Sequence, residues 1–202
     1  MVLENKLGIT ESAKLAREEE RISKIKAIEL FTSDLLQGKT IGTFETLAFI
    51  HHYLFSDIYE FAGKVRKENI AKGSFRFAPV MYLESSLEHI DQMPHCTFDE
   101  IVEKYVEMNA AHPFREGNGR SARIWLDHMF KHSLGKVVDW NRVDKGDYLL
   151  AMERSPIKDI EIKHLLKQSL TDQVNSREVF MKGLDASYHY EGYTTYNSKD
   201  LM

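Results

Sequence analysis

Apolar residues recur at three- and four-residue spacing along almost the whole chain, and the rhythm breaks once, between Lys64 and Phe77. That pattern restricts the chain to an all-α fold carrying one small β-hairpin. Thr10 is placed to cap a polar helix bearing Leu15, Ile22, Ile25 and Leu30 that ends near Gly38. Thr43 caps a more apolar one with Phe44, Leu47, Ile50, Leu54, Ile58 and Phe61, closed by Gly63. In the interruption, Val65, Ile70, Phe75 and Phe77 are β-formers around the turn Lys72-Gly73-Ser74. Helical spacing resumes with Leu83, Leu87, Ile90 and Met93 until Pro94 stops it. Thr97-Phe98-Asp99-Glu100 then forms a capping box, opening a helix with Ile101, Tyr105 and Met108. Another helix begins in residues 121–131, and three more follow at 144–154, 159–170 and 176–190, with Ser155-Pro156 separating the first two of these. The acidic run Glu18-Glu19-Glu20, beside Arg17 and Arg21, is expected to be a solvated face of the first helix.

With 202 residues, 43% of them apolar, the chain can fill one substantial core, so residues 1–202 are expected to form a single domain. The net charge of −4 with interspersed signs provides no basic field for nucleic acid or an anionic membrane. The first residues lack a charged start followed by an apolar run, and no 18-residue apolar stretch exists. A soluble protein kept in the cytoplasm is the expectation. Cys96 is the only cysteine, which rules out an intrachain disulfide and a zinc site built on several thiolates. No GxxxxGK segment occurs, which excludes a P-loop. His51 and His52 are adjacent on a helix and so do not face one ligand; core or surface roles are expected for them.

Chemistry concentrates in His112-Pro113-Phe114-Arg115-Glu116-Gly117-Asn118-Gly119-Arg120, between the end of one helix and the start of the next. A glycine-containing turn leading into a helix presents several N–H groups in one direction, and the helix dipole favours an anion there. Arg120, and Arg123 one turn later, bring guanidinium forks that match phosphate oxygens. An acid at Glu116 inside such an anion site makes sense if a divalent cation, expected to be magnesium, bridges it to phosphate. His112, with an ordinary imidazole pKa near 6.5, is suited to take a proton from an attacking hydroxyl. Taken singly, each residue has a plainer reading as a cap or surface ion pair; together they describe a nucleotide triphosphate site.

The segment resembles the signature of Fic (fido) domain proteins, HxFx(D/E)GNGR, at every specified position. Phe61-Ala62-Gly63-Lys64-Val65-Arg66 before the hairpin is similar to that family's approach to its target-positioning flap, which implies a core over about residues 43–170. The resemblance implies transfer of AMP from ATP to a Tyr, Thr or Ser hydroxyl on a target protein. It implies His112 as base, Glu116 as the Mg2+ ligand, and Gly117, Asn118 and Gly119 around the phosphates. Arg120 and Arg123 would take the polyphosphate, Asn109 would touch the nucleotide, and Lys72 at the hairpin tip would close over it. A phosphorylating sister branch has lysine in place of the last glycine; here Gly119 is retained, which favours AMP transfer.

Further on, Ser187-Tyr188-His189-Tyr190-Glu191-Gly192 resembles the family's inhibitory pattern (S/T)xxxE(G/N), in a C-terminal helix over about residues 176–191. By this resemblance Glu191 would pair with Arg123 and withhold it from the terminal phosphate. Tyr188 and Tyr193 flank Glu191 as candidates for self-modification. The reverse reaction, removal of AMP from a modified protein with Glu191 orienting a water, stays open on sequence. Oligomeric state stays open too; in a homo-oligomer, release of the inhibitory helix would depend on concentration.

Overall fold

The computed structural model describes residues 2–73 and 75–201. Among them, α1 (Ser12–Thr32) and α2 (Phe44–Phe55) precede a hairpin of β1 (Ala71–Lys72) and β2 (Phe75–Arg76). Then come α3 (Val80–Gln92), α4 (Phe98–Ala111), α5 (Asn118–Leu134), β3 (Val137–Val138), α6 (Lys145–Arg154), α7 (Ile160–Ser169), β4 (Leu170–Thr171) and α8 (Arg177–Tyr190). Two caps read from sequence close their helices: Thr43 accepts from the Thr46 amide, and Thr97 and Glu100 form the reciprocal capping box; Asp144 and Ser176 also cap α6 and α8.

The central element is α5, whose Trp125, Leu126, Met129 and Phe130 are fully buried and which packs against α2, α4 and α8. Its ends are set by glycines with left-handed backbone, Gly117 (φ 80°) and Gly135 (φ 61°). The first helix lies across α2 and α8, so the two ends of the chain flank the same core.

Four features depart from the sequence reading. The first helix starts after Glu11, without a side-chain cap from Thr10, and stops at Thr32. The second stops at Phe55; Ile58 stays fully buried because successive tight turns, with Ile58 and Tyr59 amides donating to the Phe55 carbonyl and Ala62 to Tyr59, continue the helical spacing without a helix. A second antiparallel pair, β3 with β4, joins Val137 to Thr171 and Val138 to Leu170. In the acidic run only Glu18 faces solvent with Arg21; Glu19 and Glu20 are buried at 3% and 0% exposure. Glu20 pairs with Lys24 one turn on (3.1 Å) and accepts the Thr195 and Tyr196 amides, while the carboxylate partners of Glu19 (Tyr59, Arg120 and Tyr193) lie far along the chain, where local charge pattern could not reveal them. The hairpin pairs Lys72 with Phe75 and Ala71 with Arg76; Ser74 of the expected turn lies outside the described residues. No helix among the described residues is long and apolar enough to cross a membrane.

Candidate active site at the corner of α4 and α5

The last turn of α4 leaves carbonyls that its own helix cannot use, and Arg66 collects them. Its Nε donates to the His112 carbonyl (2.8 Å), and its terminal nitrogens donate to Ala111, Ala78 and Glu68 carbonyls. The Arg66 amide also donates to the Pro113 carbonyl. Sequence gave Arg66 no role, although it is 5% exposed and ties the base of the hairpin to the corner.

His51 braces the corner from the other side. Its Nδ1 accepts the Gly63 N–H (2.8 Å), so Nε2 carries the proton and donates to the Glu116 carbonyl (2.8 Å). Burial, chiefly, pushes this imidazole down to about 3, and the neutral ring stacks on Phe114 at 3.8 Å. Phe114 is fully buried, anchoring the loop as its apolar character suggested.

His112 itself has left-handed backbone (φ 49°, ψ 63°), the one such non-glycine among the described residues. Its ring stacks on Phe77 of the hairpin arm at 3.6 Å. Nδ1 lies 3.3 Å from the Asn109 carbonyl, which can only accept, so Nδ1 bears the proton and Nε2 keeps its lone pair. Burial, opposed by the Asn109 carbonyl and Glu191, lowers the imidazole to about 4. The ring is therefore neutral at physiological pH. Asn109, expected at the nucleotide, serves this histidine through its backbone.

Asn118 spends both ends of its side chain on the loop, Oδ1 accepting from the Phe114 amide (2.8 Å) and Nδ2 donating to the Phe114 carbonyl (2.7 Å). Only its main chain can meet a phosphate. The amides of Asn118, Gly119 and Arg120 open a 17-residue helix and have no intrahelical acceptor. A Cβ at Gly117 would overlap the Phe55 ring, and one at Gly119 would collide with the Glu191 carboxylate and approach Arg123. Glu116 sits beside this turn with a 42% exposed side chain, its Oε1 accepting from the Gly117 amide (2.9 Å) and Arg120 (3.1 Å).

The two arginines diverge. Arg123, 2% exposed, donates from Nε to Ser187 Oγ (2.7 Å). One terminal nitrogen serves the Ser187 carbonyl and Glu191 Oε1 (both 2.9 Å), the other the Tyr148 hydroxyl (3.3 Å). Burial alone would raise the Glu191 carboxyl; Arg123, then Lys72, outweigh it and hold it at about 2. Lys72 reaches Glu191 at 3.4 Å from a 67% exposed side chain. Arg120, 1% exposed, points instead toward α1, pairing with Glu19 Oε1 at 2.6 Å under the rings of Phe55, Tyr188 and Tyr193. The Tyr188 hydroxyl donates to Ser23 and that of Tyr193 to Glu19, so both hydroxyls are engaged within the fold.

Sequence reasoning thus missed Arg66, His51, Tyr148 and Glu19. Each lies in a segment already read from sequence, but none carried a local signal of its partner.

A profile of the Fic/DOC family matches residues 42–130. Protein adenylyltransferase VbhT of Bartonella schoenbuchensis is 31% identical over 88% of this chain, which spans 39% of that protein's length. Probable protein adenylyltransferase Fic of Salmonella typhimurium is 25% identical over 88% of this chain and 91% of its own. Among solved structures, that of the Bartonella tribocorum effector BepC with bound AMPPNP superposes with a TM-score of 0.71 at 20% identity, covering 86% of this chain and 94% of that one. The matched segment runs from the cap of α2 through the hairpin to the far end of α5, taking in the whole corner, and the chain therefore carries a Fic/DOC family domain over residues 42–130.

Proposed function

We propose that this chain transfers AMP from ATP to a Tyr, Thr or Ser hydroxyl of a target protein in the cytoplasm, and that Glu191 restrains it. One observation carries the reading: a neutral imidazole with a free Nε2 stands beside three uncommitted helix-opening amides, while the nearby Arg123 is held by Glu191. The names of the curated relatives support the same activity.

The amides of Asn118, Gly119 and Arg120 hold the phosphate chain, and the guanidinium of Arg123, once released, takes its terminal oxygens. His112 Nε2 accepts the proton of the target hydroxyl as that oxygen bonds to the α-phosphorus. The bond from phosphorus to the departing pyrophosphate breaks in the same step. Phe77 fixes the imidazole plane by stacking, and the exposed hairpin offers main-chain groups against which an extended target segment can lie. Magnesium is commonly held by one or two carboxylates plus substrate phosphates, and the accessible Glu116 carboxylate fits that arrangement. When bound, the ion neutralises phosphate charge. With Glu191 in place, both N–H groups of one Arg123 terminal nitrogen are taken, by Glu191 and the Ser187 carbonyl, and Nε is taken by Ser187, so the guanidinium cannot present a two-pronged fork to a terminal phosphate and ATP does not settle in a productive pose.

Labelled ATP incubated with a bacterial lysate and each variant tests this. Glu191→Gly should raise labelling by about 10-fold or more, which corresponds to at least ~1.4 kcal/mol of barrier, and His112→Ala should abolish it. Equal labelling by wild type and Glu191→Gly refutes the restraint; release of AMP from a pre-modified target without net labelling would assign the reverse reaction.

A further inference from the structure

Arg120 is a buried cation shared between two acids. Its terminal nitrogen meets Glu19 Oε1 at 2.6 Å and Glu116 Oε1 at 3.1 Å, while Nε and the other terminal nitrogen have no partner among the described residues. The two acids differ in setting. Glu19 is 4% exposed in its side chain and its carboxylate also accepts the hydroxyls of Tyr59 and Tyr193, whereas Glu116 is 42% exposed. Charge neutralisation of Arg120 therefore falls to Glu19: a pair formed in the low-dielectric interior is stronger than one screened by water, and two tyrosine hydroxyls hold the carboxylate in place.

We propose that Glu19, on α1, is a positioning residue for Glu116: by neutralising Arg120 it leaves the Glu116 carboxylate open to a divalent cation. The inference rests on the reading of Glu116 as the cation ligand. Without the charge at position 19, a guanidinium that is 1% exposed has Glu116 as its remaining carboxylate partner. Leaving a buried charge unpaired is costly, and Nε and the second terminal nitrogen already lack acceptors, so Arg120 closes on Glu116 as a two-pronged fork. A carboxylate capped in that way binds a cation poorly. Groups that orient a metal's ligands in other proteins typically change affinity about 10- to 100-fold when removed.

The test is calorimetric titration of ATP at a series of Mg2+ concentrations in the Glu191→Gly background, with and without Glu19→Gln. We expect the Mg2+ concentration for half-maximal ATP binding to rise about 10-fold or more in Glu19→Gln, with ATP binding in EDTA unchanged. Glu19→Asp should fall between the two. An unchanged Mg2+ requirement overturns the proposal. Should Glu191→Gly alone bind no ATP, the reading of the whole site fails, and this inference with it, before Glu19 is touched. If melting shows that Glu19→Gln unfolds, Glu19→Gln combined with Arg120→Gln removes both charges. Its Mg2+ requirement should then match that of Arg120→Gln alone, and a higher one overturns the role assigned to Glu19.

Discussion

Arg120 and Arg123 lie three residues apart on one helix, equally hidden from water, yet their surroundings differ in completeness. Around Arg123 every nitrogen has an acceptor, divided among Ser187, Glu191 and Tyr148. Around Arg120 a single nitrogen is used and two are left without partners. A guanidinium engaged at every nitrogen has little to gain from a phosphate until one of its partners departs. One with buried, unpaired N–H groups has an incentive to meet an acceptor, since each costs about 1–3 kcal/mol while unmet. The first is therefore suited to control and the second to structure and cation handling, although sequence presents them as equivalent forks.

Removing the acids one at a time should separate the two sites. Glu19→Ala leaves a deeply buried guanidinium short of charge and is expected to lower unfolding free energy by about 3–5 kcal/mol in urea denaturation; a loss below about 1 kcal/mol would mean that the α1 pair is dispensable. Glu191→Ala is expected to cost less, about 1–3 kcal/mol, because Arg123 keeps Ser187 and Tyr148, while AMP transfer rises. A stability cost as large as that of Glu19→Ala would erase the distinction. Lys72→Ala breaks an exposed contact and should change stability by no more than about 1 kcal/mol, with labelling close to wild type; strong activation would show that the hairpin lysine, not Arg123, restrains Glu191.

The smallest effect expected is that of pH. Glu191 is held at about 2 in the fold against an ordinary 4.5, so its contribution to stability is complete above 4.5 and is lost as pH falls toward 2. Restraint should therefore be constant from about pH 8 to about pH 5. His112 is lowered from 6.5 to about 4 and stays neutral over that range, so the rate profile of Glu191→Gly should show no inflection near 6.5 from this group. An inflection there would mean that the imidazole is more solvated than its stacking on Phe77 implies.

What was legible in the sequence was local. Thr43 and Thr97 with Glu100 cap their helices because a cap is decided within four residues, although Thr10 does not cap α1, and the corner was visible because its groups are contiguous. The meeting of Arg123 with Ser187 and Glu191 also agrees with the pattern that suggested it. The end of α2 was missed because tight turns reproduced helical spacing, and β3 with β4 because two-residue strands leave no period to detect. Glu19 was misjudged for a different reason. Three acids between two arginines look like a wet surface, and nothing nearby shows that the middle one meets an arginine from the far side of the core. Arg66 and His51 were likewise invisible, since both act on backbone carbonyls brought near only by folding.

The left-handed backbone at His112 has a practical consequence for anyone separating chemistry from architecture. An L-residue there is strained by roughly 1–2 kcal/mol, and the Arg66 bond to its carbonyl maintains the conformation. Alanine would remove the imidazole and also leave a residue ill suited to that dihedral. Asparagine visits the region readily and has no basic nitrogen, so His112→Asn is the cleaner knock-out, silencing proton transfer while sparing the bend.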